Sequence, residues 1–320
     1  MGYDAIAERL AAGQVVVLDG GMGTEIIRRT DRWVRNGIEA SPETIEAIHR
    51  DYIAAGADVI TTNTFQITRH TFLNFFHDLD QMRAIGAPGL ETRAAELTAR
   101  ATDLALAARR AAGAEERVAV AGSISPLNHP FRSDLAPEKA RAAEEHAETA
   151  AVLAAAGVDL ILLETMNTVG EASAALQAAK ETGLPVWVSL IPNGHGETLA
   201  GEPLEEVART LATLEPAAIL VNCAPAAHIG AALAALDGVT ELPLGAYALI
   251  GRYAPPSWKM DFFPRFVDTD ETPADAYAEL AGGWIEAGAK IVGGCCGTTP
   301  GHIQSVRIMV AGKERAQGNA

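Results

Sequence analysis

A (β/α)8 barrel, the TIM barrel, is the architecture this chain predicts, and two regularities predict it: a repeated helix, glycine and strand unit, and reactive residues at a constant offset behind the glycine. The unit occurs as AAGADVITTN, AAGVDLILLE and EAGAKIVGGC. Asn63, Glu164 and Cys295 each lie seven positions beyond a glycine: Gly56, Gly157 and Gly288 respectively. The same offset joins Gly13 to Gly20, and the turn-forming Pro216 to Cys223. Glycine just past a helix adopts the left-handed conformation that ends it. A short β-branched or leucine-rich run marks a strand buried on both faces.

Eight runs of this kind follow one another: VVVL (15–18), VITT (59–62), VAVAG (118–122), LILLE (160–164), VWVSL (186–190), AILVN (218–222), PLGAYA (243–248) and KIVGG (290–294). Helical patterns fill the intervals. The clearest covers 138–156, with Pro137 near its first turn and Gly157 past its end, the usual proline-first, glycine-last order. The widest intervals, 23–58 and 64–117, exceed one crossover helix and predict lids or additional helices. A chain of 320 residues accommodates a barrel of about 250 with long loops. No Pro/Ser-rich linker or composition break divides it, so 1–320 is expected to form one domain. The alternative is an open doubly wound sheet, disfavoured because no GxGxxG or P-loop follows a strand.

Composition excludes several functions. The formal charge of −16, from 41 acidic and 25 basic residues, repels phosphate backbones, and no Lys/Arg cluster reverses that field locally. Nucleic acid is therefore not an expected partner. The longest uncharged stretch, 216–236, contains Asn222, Pro225, His228 and Gly230, a strand, loop and helix pattern and not a membrane span. The opening MGYDAIAERLAAG has the pattern of a short acidic amphipathic helix without the basic flank and apolar core of a secretion signal, so a cytoplasmic location is expected. Three cysteines, an odd number, do not make a disulfide framework.

Barrel catalysis sits at the C-terminal strand ends. There the sequence places Asp19-Gly20-Gly21, Asn63-Thr64, Ser123, Glu164-Thr165, Cys223, Tyr247 and Cys295-Cys296. All three cysteines thus fall on one rim. Cys223 alone has the ordinary reading of a small buried hydrophobe. The vicinal pair differs: adjacent residues of a strand point to opposite faces, so Cys295 and Cys296 share an ion only if the backbone turns, a freedom that Gly293, Gly294 and Gly297 are expected to supply. Thiolates favour Zn²⁺, and three protein ligands leave a fourth position open for chemistry.

LDGGMGTE (18–25), AGADVITTNTFQ (55–66), AGSISP (121–126), AGVDLILLETM (156–166), VNC (221–223) and above all GGCCGTTPGHI (293–303) resemble the zinc-dependent homocysteine S-methyltransferases. That family includes the homocysteine-binding domain of cobalamin-dependent methionine synthase and the betaine-homocysteine methyltransferases. The resemblance implies a (β/α)8 barrel whose Zn²⁺ is held by Cys223, Cys295 and Cys296. It also implies that Asp19, Gly20 or Gly21, and Glu164 recognise the amino acid part of homocysteine. The chemistry is coherent: coordination deprotonates a thiol, and three cysteine thiolates leave the added sulfur nucleophilic. An α-ammonium needs carboxylates, as Asp19 and Glu164 offer, and a carboxylate needs donors such as the N–H groups of residues 20–23 or the hydroxyl of Thr62 or Thr64.

The expected reaction is methyl transfer from a small onium donor to homocysteine, giving methionine. No folate or cobalamin domain is expected within the 320 residues, so the donor is expected to be a free metabolite, and S-methylmethionine or S-adenosylmethionine is favoured over betaine because the thiolate needs a leaving group better than an amine. Tyr247, Tyr253 and Trp258 are candidate cation contacts. Ser125 and Ala248-Leu249 depart from the family's glycine in the turn after strand three and its asparagine after the strand-seven tyrosine, on the donor side. Two other classes stand against this reading, a zinc hydrolase and a non-catalytic or redox-sensing barrel using Cys295-Cys296. His49 and His146 are expected in packing or capping roles, and His302 in capping a helix or orienting the cysteine loop.

Overall fold

Each of the eight apolar runs forms its strand within two residues of the expected limits in the computed structural model, which describes residues 2–30, 37–74, 89–253, 266–267 and 272–318. The strands are β1 (Val16–Val17), β2 (Val59–Thr61), β3 (Ala119–Ile124), β4 (Leu160–Met166), β5 (Val186–Leu190), β6 (Ala218–Asn222), β7 (Leu244–Tyr247) and β10 (Ala289–Val292). Two short strands between them, β8 (Arg252–Tyr253) and β9 (Phe266–Val267), form a separate antiparallel pair that the sequence did not announce.

All neighbouring barrel strands pair in parallel, in the order β1-β10-β7-β6-β5-β4-β3-β2. The two ends of that order meet: Leu18 bridges Val59, Asp19 N–H donates to the Val59 carbonyl at 3.0 Å, and Asp58 N–H donates to the Val17 carbonyl at 2.7 Å. These bonds close the sheet, and the open doubly wound alternative falls with them.

The wide intervals hold extra helices. The first contains α2 (Met22–Thr30) and α3 (Pro42–Ala55), the second α4 (Arg69–Asn74) and α5 (Leu90–Ala111). The outer ring continues with α6 (Lys139–Ala156), α7 (Val169–Lys180), α8 (Leu204–Ala212), α9 (Ala226–Leu236), α10 (Ala274–Glu286) and α11 (Pro300–Gly318). Gly56 and Gly157 end α3 and α6 in the left-handed conformation, at φ 99° and 92°.

Side chains of alternate parity form two cores. Leu18, Leu160, Leu162, Trp187, Leu220 and Ile291 fill the barrel, while Val17, Ile60, Val120, Ile161, Val188 and Val292 pack outward on the helices. The N-terminal mouth is covered by α1 (Gly2–Ala11), whose Ile6 is fully buried and whose Tyr3 meets Trp187 edge-on at 6.2 Å. The aspartate two residues beyond the repeat glycine works at this same end. Asp58 accepts from Val17 N–H at 2.8 Å and pairs with Arg9 and Arg307; Asp159 accepts from Val120 N–H at 2.7 Å and pairs with Arg109. The third repeat carries Lys290 at the position after Ala289, without this device.

Candidate metal centre

Cysteine sulfurs from two chain segments converge at the C-terminal mouth. Cys223 follows β6, where its N–H donates to the Tyr247 carbonyl at 3.2 Å, and Cys295-Cys296 follow β10. Cys295 N–H donates to Ala248 at 3.0 Å and the Cys296 carbonyl accepts from Ile250 N–H at 2.9 Å, so the loop after β7 holds the loop after β10. The three sulfurs lie within 4.8 Å of one another, with Cys223 and Cys296 4.0 Å apart. A tetrahedral ion with metal–sulfur bonds near 2.3 Å would space them at about 3.8 Å. The set therefore fits a thiophilic cation, and it is the one such group of His, Cys, Asp and Glu among the described residues.

Mutual contact and burial raise two of these thiols. The hydrogen-bonded Cys295 and Cys296, then burial, push the Cys223 thiol well above the usual range. For Cys295 the contact with Cys223 lowers the value, yet Cys296, burial and the charge of Glu164 together carry it well above. A positive ion is the natural counterweight.

The turn that brings the sulfurs together is not made as the sequence suggested. Gly293 and Gly294 do not adopt positive φ; Gly297 does, at 89°. The first two instead make room: a Cβ on Gly293 would press on Leu18, and one on Gly294 on Thr298. Cys223 itself takes φ 51°, and Thr165, where the β4–β5 register shifts, takes 64°. Such backbone in non-glycine residues concentrates at functional sites. Asn222, fully buried, donates from Nδ2 to Thr165 at 2.9 Å and toward Cys295 Sγ at 4.0 Å, while Ser189 donates to its Oδ1 at 2.8 Å.

Glu164 stands beside the sulfurs, and Asp19 lies within reach of the charge of Glu164. Asp19 is buried and accepts from Thr61 N–H at 2.7 Å and from the Thr61 hydroxyl at 3.1 Å. Burial dominates over these bonds, and the charge of Glu164 adds to it, so the Asp19 carboxyl is pushed well above its ordinary range. Glu164 accepts from the Ser123 hydroxyl at 2.7 Å; burial first, then the charge of Cys296, raises it to about 7. The buried Tyr247 hydroxyl lies near Glu164 and Ser189 without a hydrogen bond of ordinary geometry. Thr62 is differently occupied: its hydroxyl accepts from Ser123 N–H at 3.0 Å and meets the Thr64 hydroxyl at 2.7 Å, while Thr64 donates to the Ser123 carbonyl. Gly20 and Gly21 lie against Tyr52, Thr298, Thr24 and the cysteine loop, with no room for a side chain.

The loop after β3 adds a wall. Phe131 packs on the cluster that contains Cys223, Tyr247 and Cys295, and the ring of His129 lies 5.9 Å from it. Gln66, His70, Asn167 and Glu171 hold this loop from behind through Asn128, Pro130 and Leu127. None of these was singled out in the sequence, where polar residues of helices and turns carry no signal of what they face. Of the earlier candidates, Trp258 lies outside the described residues and Tyr253 is placed by its backbone in β8. His302 caps α11 through Thr299 and reaches the Thr272 carbonyl at 3.1 Å, His146 pairs with Glu171 at 3.1 Å, and His49 is buried with neither ring nitrogen bonded.

Comparison with known proteins gives the family and the fold. The family model described as Homocysteine S-methyltransferase matches residues 16–310. The chain is 29% identical to the homocysteine S-methyltransferase of Escherichia coli (strain K12), covering 92% of this chain and 94% of that one. It is 28% identical to homocysteine S-methyltransferase YbgG of Bacillus subtilis (strain 168), covering 91% and 93%. The crystal structure of the Escherichia coli homocysteine methyltransferase MmuM in its metallated form superposes with a TM-score of 0.76 at 26% identity, over 95% of this chain and 99% of that chain.

Proposed function

This chain belongs to the homocysteine S-methyltransferase family, and on that premise we propose that it carries a methyl group from a sulfonium donor, S-methylmethionine or S-adenosylmethionine, to homocysteine, using zinc held by Cys223, Cys295 and Cys296. The observation that supports this most is the set of three sulfurs within 4.8 Å of one another, beside the half-buried Glu164, which in turn neighbours the buried Asp19. Bound there, zinc would supply an open position at which a fourth thiol gives up its proton and remains nucleophilic.

The chain's own residues orient the acceptor. Asp19 and Glu164 accept hydrogen bonds from its α-ammonium, and the incoming positive charge offsets the burial that otherwise favours their protonated forms. Ser123 keeps Glu164 aimed by donating to Oε2, and Thr61 does the same for Asp19. Thr62 and Thr64 hold the β2 and β3 ends in register, so that the floor of the pocket is rigid. Phe131 and Leu249, packed on the cysteine cluster, keep water from the reacting sulfur. A cationic donor is favoured by the acidic groups at the mouth and by the net charge of −16. Three free thiols suit a reducing compartment, the cytoplasm.

The test is metal analysis of the purified protein followed by homocysteine with S-methylmethionine, S-adenosylmethionine, betaine and methyl-tetrahydrofolate in turn. One zinc per chain and methionine from a sulfonium are expected. Turnover with betaine alone would remove the sulfonium donor and leave the zinc-thiolate reading intact.

A further inference from the structure

Two threonine hydroxyls join the ends of the chain at the mouth of the barrel. Thr24, in the first turn of α2, donates to the Gly21 carbonyl at 3.0 Å and accepts from Gly297 N–H at 3.0 Å. Thr298, fully buried, donates to the Cys295 carbonyl at 2.7 Å and accepts from Gly21 N–H at 3.1 Å. Each hydroxyl therefore holds one backbone atom of the β1–α2 turn and one of the cysteine loop, and both polar atoms of Gly21 are held. Tyr52 donates to the Thr298 carbonyl at 3.2 Å and Arg28 to the Gly297 carbonyl at 2.6 Å, which fixes the outer edge of the same loop. The missing side chains at Gly20, Gly21 and Gly294 make the close approach possible, since a Cβ at any of them would collide with Thr298 or Thr24.

We propose that Thr24 and Thr298 are positioning residues that set the distance between the turn bearing Asp19 and the loop bearing Cys295 and Cys296, so that metal retention and acceptor binding depend on one shared clasp. The inference rests on the reading of Asp19 as an ammonium contact and of the three cysteines as metal ligands. Gly21 then serves the site by anchoring the loop, because its N–H is already spent on Thr298. A second ring of hydrogen bonds behind metal ligands commonly changes metal affinity by about ten- to a hundredfold. Valine has the shape of threonine without its hydroxyl, so it unmakes the clasp and preserves the packing.

Thr24→Val and Thr298→Val are compared with Thr24→Ser and Thr298→Ser in two measurements: the rate at which zinc passes to a chelator with no substrate present, and the homocysteine KM against kcat. The valine variants are expected to lose zinc about tenfold faster and to raise the homocysteine KM by a similar factor, with the donor KM unchanged and the serine variants near the parent. Valine variants with a lower melting temperature but unaltered zinc loss and KM would reduce the clasp to a prop of the fold and overturn the proposal. Should Thr298→Val not fold, Thr24→Val at the edge of α2 and the two serine variants carry the same comparison. A parent that holds zinc but does not methylate homocysteine would defeat the proposed function, while the chelator rates still decide the clasp.

Discussion

Cys223 shows what a single residue contributes at the mouth of the barrel. Its φ of 51° lifts the chain out of β6 and turns the sulfur toward Cys296. A non-glycine residue there costs about 1 kcal/mol or more, so the conformation persists only because surrounding bonds demand it. Cys223→Ser and Cys296→Ser are expected to abolish stoichiometric zinc and methyl transfer; metal analysis after dialysis checks this, and full zinc in both variants would refute the trithiolate. Asp19→Asn and Glu164→Gln remove a charged partner of the ammonium, worth about 1.5–3 kcal/mol. Zinc content should hold while the homocysteine KM rises by about ten- to a hundredfold, and an unchanged KM in both would move the amino acid pocket elsewhere. Thr62, by contrast, has its hydroxyl engaged between Ser123 and Thr64, so its contribution is to the register of β2 and β3.

Among the elements, α3 carries two features that are open to measurement. His49 is buried without a bonded ring nitrogen, and burial lowers its value from 6.5 to about 3. Below pH 6.5 the unfolded chain takes up a proton that the folded chain refuses. The stability that His49 contributes is therefore complete above pH 6.5 and lost as pH falls toward 3, at about 1.4 kcal/mol per pH unit. Denaturant titrations of His49→Leu should show a flatter dependence between pH 6 and 4 than the parent; identical slopes would place the pH sensitivity on other groups. The second feature is the helix-ending glycine. At Gly157 an added Cβ makes only an ordinary van der Waals contact with Leu106, so Gly157→Ala meets only the strain of φ 92°, about 1–2 kcal/mol. At Gly56 the Cβ would also meet the Arg307 side chain at 2.6 Å, and Arg307 holds Asp58. Gly56→Ala should therefore lower the melting temperature more than Gly157→Ala, although the two repeats look alike in sequence.

On the scale of the whole molecule, the barrel divides labour between its ends. Asp58, Asp159 and the α1 cover secure the N-terminal mouth, where Ile6→Ala is expected to cost about 2–5 kcal/mol without altering the homocysteine KM. The C-terminal mouth holds the reactive groups. A metal that binds the folded chain stabilises it by mass action, so a chelator should lower the melting temperature of the parent and leave that of Cys223→Ser unmoved.

Much of this was written locally. The glycine offsets place Asn63, Glu164 and Cys295 at strand ends because one αβ unit has one length, and the apolar runs mark eight strands because each is buried on both faces. The family motifs, carried by contiguous residues, brought Cys223, Cys295, Cys296, Asp19 and Glu164 into view. Other properties belong only to the closed barrel. Closure depends on Leu18 meeting Val59 across α2, α3 and their connections, with Asp19 N–H bonded to the Val59 carbonyl and Asp58 N–H to that of Val17. The positive φ at Cys223 and the clasp of Thr24 and Thr298 likewise appear in no local pattern. Threonine beside glycine is common in loops, and its hydroxyl acquires a role only when a partner 277 residues away, Gly21 for Thr298, is brought within 3.1 Å. Periodicity records which face of an element is buried; the partners that satisfy its polar groups are chosen when distant elements pack.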